Sequence, residues 1–423
     1  MRTAAAAALL AVGGLLTTIA PGQEEARLAG RVAMTDPASP PPWTEVHSAT
    51  KRHFDLGHML FNARWQPAGH PTSQLTGLGP LFVESSCAAC HEGGARGHPP
   101  TAAGALSGSF VLQLGGPPTI FGHVLNTRAI EGHVPEGRVT VTWRQREGRH
   151  ADGQRWTLQE PRYGVVDSPQ GALPNDTVLK PRIGPPVFGV GLLDAVPASA
   201  LQAIRDAQPP DVRGELGGRF GWQGDAASLV DQTAIAFARE MGLTSQLMSA
   251  DDCTQDQPDC LEALQADSPE LPEELFHAVN TFQFLLAAPA RASIDPAADA
   301  AGDALFQRVG CAACHVPRLP VPRDSGDIHI DPYTDLLLHE LGEGLADRTV
   351  AGEPVPSRWR TAPLWGLAHA LQAGPVGLMH DGRASSIEQA ILWHDGQARS
   401  SRDSFMTLDA AERQLLLRWI GTL

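Results

Sequence analysis

Apolar residues recur at helical spacing in three stretches of the chain's middle: Ser199 to Arg205, Ser228 to Met241 and Pro272 to Leu286. Each predicts a helix. Two more are expected further on. One covers Ala298 to Val309, with Leu305 and Phe306 apolar and Gly310 as its stop. The other covers Leu408 to Leu423, where Leu415, Leu416, Trp419 and Ile420 share a face. From about Ser107 to Lys180 the pattern changes. Val111 and the run Thr140-Val141-Thr142-Trp143 stand among Gly and Pro punctuation, which predicts short strands or extended loops. Gln23 to Trp43, rich in Pro, Ala and charge, reads as a leader or linker, and Pro289 to Ala297 as a linker.

Two helical patterns carry polar residues where apolar ones belong. In the helix over Ala227 to Met241, Leu229, Gln232, Thr233, Ala236, Phe237 and Glu240 fall on one broad face, and Gly242 ends it. A buried carboxylate is costly without a task or a partner. Glu240 therefore either moves protons or pairs with an arginine such as Arg219 or Arg239, and spacing does not choose between these. The second pattern begins at Ser385-Ser386-Ile387-Glu388, which reads as a capping box. A helix from there puts Ile387, Ala390, Ile391 and His394 on one side.

The cysteines change the picture most. Four of the six stand in two motifs, Cys87-Ala88-Ala89-Cys90-His91 and Cys311-Ala312-Ala313-Cys314-His315. In such a motif two thiols can form thioethers with haem vinyl groups, and the adjoining imidazole can bind iron. A zinc knuckle or a redox dithiol is the plainer reading of one copy. Two copies behind a secretion-like N-terminus favour two covalently bound haem c groups. For the second haem the candidate sixth ligand is His394, with Met379, His380 and His339 as competitors. For the first haem, His53, His58, His70, His98, His123 and His133 are in the region, and no spacing singles one out. The remaining cysteines, Cys253 and Cys260, stand in an acidic segment and predict a local disulfide.

The expected fold is mainly α: two cytochrome c-like domains, with an irregular, partly β insertion in the first. The first haem domain is expected over 45–290 and the C-terminal one over 298–423. Residues 1–22 read as a signal peptide. Arg2 supplies the positive end, and Ala4 to Ala20 carries no charge. Export to the periplasm follows, with no stable membrane insertion after cleavage. Composition agrees with a soluble globular chain, at 42% hydrophobic and 19% charged residues. The net charge of -15 argues against nucleic acid as a partner. It suits solubility alone, or a small basic electron donor such as a cytochrome or cupredoxin.

The chain also resembles a known family, the bacterial di-haem oxidoreductases often labelled thiol oxidoreductases. These are similar to the di-haem cytochrome c peroxidases and to the di-haem enzyme that matures methylamine dehydrogenase. The resemblance rests on Gly77-Leu78-Gly79-Pro80-Leu81-Phe82, on residues 186–197 and on Gly218-Arg219-Phe220-Gly221-Trp222. It continues through residues 332–339, Trp359-Arg360-Thr361-Ala362-Pro363-Leu364-Trp365-Gly366 and His380-Asp381-Gly382-Arg383. It implies a peroxidase-like enzyme whose second haem feeds electrons to a first haem that binds hydrogen peroxide. It places the second haem's distal ligand fourteen residues after His380, on His394, where the peroxidases usually carry Met. It matches Gln232 and Glu240, with a shorter gap, to a Gln and a Glu near the first haem, and Trp222 to an electron bridge between haems. Calcium, which those peroxidases hold between domains, stays open because its site is not clearly reproduced here. A plain di-haem electron carrier and an oxidase of a thiol or protein substrate are the alternatives.

Overall fold

The computed structural model describes residues 33–100, 106, 108–116, 120–263, 269–323 and 327–423. The expected signal peptide, residues 1–22, lies outside the described residues. The described chain opens with helix α1 (Ser48–Asn62). Its buried face, Phe54, Gly57, Leu60 and Phe61, packs on α3 (Glu273–Leu285). Gly57 allows the close approach, since a Cβ there would lie 2.7 Å from the Phe282 Cβ. Phe54 and Phe61 then meet Phe282 with ring centroids 5.2 and 5.3 Å apart.

Between these helices lie β1 (Phe110–Gly115), a long ribbon of β2 (Arg138–Arg149) and β3 (Arg155–Val166), and β4 (Val178–Ile183). Helix α2 (Leu229–Glu240) follows. Ser228 caps it by accepting from the Asp231 N–H while the Asp231 carboxylate accepts from the Ser228 N–H, and Gly242 turns away at φ 63. After α3 come α4 (Pro296–Val309), β5 (Leu338–Glu340), β6 (Asp347–Thr349), β7 (Pro354–Val355) and β8 (Arg358–Arg360). The chain ends with α5 (Ile387–Trp393) and α6 (Ala410–Ile420). The three expected mid-chain helices are present, the first of them as Ala198–Ala207. Gly310, at φ 92, ends α4 as expected. The Cys253–Cys260 disulfide is formed.

The fold is mixed rather than mainly α, with 33% helix and 19% strand. The correction comes from the β2–β3 ribbon, which pairs Arg138 with Val166 and runs to Arg149 with Arg155. Gly148, Pro161 and Gly164 break the strand pattern in sequence. In a two-stranded ribbon both strands are edges, where Pro and Gly are tolerated. A second difference concerns the halves. One four-stranded sheet runs β7-β6-β4-β1 and so joins strands from both sides of residue 290. The largest apolar core does the same, combining Phe54, Phe188 and Phe282 with Leu319, Leu337 and Trp365. The stretch expected as leader or linker also contributes, because Met34 and Trp43 are buried there.

The candidate sites, two cavities with a common wall

Each Cys-x-x-Cys-His turn lines its own cavity. The first cavity, about 340 Å³, is lined by Cys87, Cys90 and His91. Helix α2 supplies a further part of the lining: Leu229, Gln232, Thr233, Ala236, Phe237 and Glu240, the whole expected face, all line it. Glu240 is enclosed by protein while its side chain fronts the cavity. It forms no ion pair with Arg219, whose guanidinium donates to the Asp194 carbonyl. Burial pushes the Glu240 carboxyl up to about 7, and the nearby Arg239 charge opposes that shift. His91 lies against Gly184, where a Cβ would sit 2.6 Å from the ring's Cε1. Burial lowers the His91 imidazole to about 4, so it is neutral and offers a lone pair. Of the six histidines considered near this motif, only His123 lines the cavity. It sits at the rim, where Asp252 takes its Nδ1 at 2.6 Å.

The second cavity, about 190 Å³, is lined by Cys311, Cys314, His315 and His394. Ile387, Ala390, Ile391 and His394 all face it, as the spacing predicts. The cap differs by one residue from the expected box: Ser386 accepts from the Gln389 N–H, and Ser385 bonds the Gln389 side chain. His394 follows the last turn, and its Nδ1–H donates back to the Ala390 carbonyl at 2.7 Å. His315 Nδ1–H donates to the Tyr333 carbonyl at 3.0 Å. A carbonyl only accepts, so both rings carry the proton on Nδ1 and present a bare Nε2. The two ring centroids are 6.5 Å apart. Two imidazoles bound on opposite sides of one metal, each through a bond of about 2 Å, have centroids roughly 6 Å apart.

The competing residues His339, Met379 and His380 line the same cavity. His339 Nε2–H donates to Asp335 at 2.9 Å, with its Nδ1 3.7 Å from the Cys314 sulfur. His380 stacks on Trp359 with centroids 3.9 Å apart, and its buried Nε2 has no partner. Met379 lines the cavity with its backbone at φ 69. Cys314, Asp335 and His339 form the one cluster of three metal-capable side chains among the described residues. It is not the oxygen cage that calcium prefers.

The cavities meet. Trp222 lines both, as do Arg96, Arg360 and Trp365. The Trp222 Nε1–H donates to the Ile183 carbonyl at 2.9 Å, which fixes the ring in the wall. Arg96 carries no signal in the sequence, where Arg360 and Trp365 appear only as letters of a motif without a role.

Two Cys-x-x-Cys-His cavities with a common tryptophan wall define a protein with paired cofactor sites. Residues 159–423 match the family model described as "Di-haem oxidoreductase, putative peroxidase", and the chain belongs to this family. The matched region holds the second motif, α2 and His394, and the first motif precedes it. Among curated proteins none matches the chain. Among solved structures, hydrazine synthase of Kuenenia stuttgartiensis, pressurised with xenon, is similar at 13% identity and a TM-score of 0.41. That likeness covers 100% of this chain and 98% of the other. The family implies two haems, and the residues present fit them. Each cavity offers two unpaired thiols beside a neutral imidazole. Burial raises all four thiols well above the usual range, which does not favour a reactive dithiol.

Proposed function

We propose that the chain is an exported di-haem c-type oxidoreductase that reduces hydrogen peroxide with electrons from a small periplasmic donor. Cys87 and Cys90 would hold the first haem with His91 as iron ligand, and Cys311 and Cys314 the second with His315. When bound, the first haem supplies a peroxide-binding iron and the second a one-electron store. The inequality of the two cavities carries this reading. His394 faces His315 across the second cavity, a strong-ligand pair suited to electron transfer. The first cavity has Glu240 and Gln232 in its lining instead.

Reducing peroxide to two waters takes two electrons and two protons. Glu240, held near neutrality by burial, can accept a proton from the substrate oxygen near it and return one to the leaving oxygen. The Gln232 amide can donate to the same oxygen and orient it. Trp222, fixed by its bond to Ile183, offers an aromatic path between the cavities. The net charge of -15 supports a basic donor, and the apolar N-terminal run supports export.

Peroxide consumption by the full-length holoprotein tests this, with a reduced small basic cytochrome or cupredoxin supplied and its oxidation followed optically. Two donor equivalents oxidised per peroxide are expected. Covalent haem without any peroxide-dependent donor oxidation would leave the electron-carrier reading instead.

A further inference from the structure

Two arginines in the common wall have no acid to pair with among the described residues. Arg96 donates through Nη1 to the Gly377 carbonyl at 2.9 Å, and its buried Nε has no partner. Arg360 donates through Nε to the Gly221 carbonyl at 3.1 Å and through Nη1 to the Thr361 carbonyl at 3.4 Å. Asp335 acts on Arg360 only from a distance, because its oxygens are spent on His339, Gln208 and the Leu337 N–H. Other buried arginines here are treated differently. Arg182 is held by both oxygens of Asp347 and Arg383 by both oxygens of Asp381.

Burying a cation without a counter-charge is costly. Burial alone lowers Arg96 to about 10, and burial leads the same shift in Arg360. Both side chains line both cavities. The missing negative charge therefore belongs to whatever fills the cavities. A haem carries two propionate carboxylates, and a guanidinium fork matches a carboxylate in plane and spacing.

We infer that Arg96 and Arg360 are shared propionate bridges, each binding carboxylates of both haems across the common wall. This rests on the di-haem reading above. A cation shared in this way stabilises the reduced, less positive state of both irons. It also ties the potential of each haem to the occupancy and charge of the other. The two arginines are positioning residues for electron transfer through the Trp222 wall, and they need not touch peroxide.

The test is an optical redox titration of the full-length holoprotein, with haem counted by pyridine haemochrome. In Arg96→Gln and in Arg360→Gln, both midpoint potentials are expected to fall with both haems retained. Loss of haem in the Gln variants with retention in Arg96→Lys and Arg360→Lys would also support the bridges, since Lys keeps the charge. In the Lys variants, which lose the fork, the propionate bending bands in resonance Raman should shift while the potentials stay near the native values. Native potentials in both Gln variants, or a shift of one haem alone, would overturn the shared bridges. Native Raman bands in both Lys variants would do the same. A native protein without two covalent haems would instead sink the di-haem reading on which this inference stands.

Discussion

At the scale of single residues, Glu240 and His394 carry the difference between the cavities. Glu240 is raised to about 7 by burial, so its protonated form is the one the fold favours. Its contribution to stability is complete below the ordinary carboxyl value and is lost as the pH rises through about 7. Glu240→Gln should therefore flatten the stability profile between pH 5 and 8, as urea titrations at several pH values would show. The same variant should lower peroxide turnover by about 10²- to 10⁴-fold and remove the rate's titration near neutral pH. A turnover profile unchanged in Glu240→Gln would leave the carboxylate a structural role only. His394→Ala should convert the second haem's low-spin spectrum and leave the first haem's untouched. A change confined to the first would reassign the ligand. Both residues were legible in sequence because each is a polar group on an apolar helical face. Arg96 was not, since nothing in a linear pattern says that a lone arginine will line a cavity, with its Nε buried, without an acid.

At the scale of elements, the helices were the readable part. Period and stop signals placed α2, α3 and α4 within a few residues, because each presents one apolar stripe and a Ser, Pro or Gly boundary. Helix α1 was missed, although Phe54, Gly57 and Phe61 recur at helical spacing. Over the β2–β3 ribbon the sequence predicts only short strands or extended loops, because Pro161 and the glycines interrupt the pattern, and the ribbon's role is tertiary. Its strand β3 inserts Leu158 into the C-terminal core, beside Trp393 and Phe405. At the ribbon's tip, Arg413 grips Asp152 at 2.6 Å, and His150 meets Glu388 of α5 at 3.0 Å. The ribbon thus braces the helix that ends in His394. Leu158→Ala should cost about 2–5 kcal/mol, the usual range for opening such a cavity. Thermal unfolding followed by circular dichroism would measure it, and a cost under about 0.5 kcal/mol would show the brace to be dispensable.

At the scale of the whole molecule, the halves are joined rather than strung together. Strand β6 pairs with β4 through Arg348 and Leu179, which carries backbone from one half into the other's sheet. The Arg360 N–H donates to the Trp222 carbonyl at 2.9 Å, so the joint runs through the wall between the cavities. No sequence period could show this, because it depends on pairing between strands more than 150 residues apart. The motifs were visible as two sites, and their neighbourhood was not. That joint gives the two cavities one common wall, across which the proposed function needs an electron-storing end and a reacting end.

Spin state tests that division most directly. Electron paramagnetic resonance of the half-reduced holoprotein, before and after hydrogen peroxide, reads the two irons separately. A high-spin ferric signal from the first haem that peroxide rapidly abolishes, beside a second haem that is low-spin whenever ferric, is the expected result. Low-spin signals from both haems that peroxide leaves unchanged would contradict it.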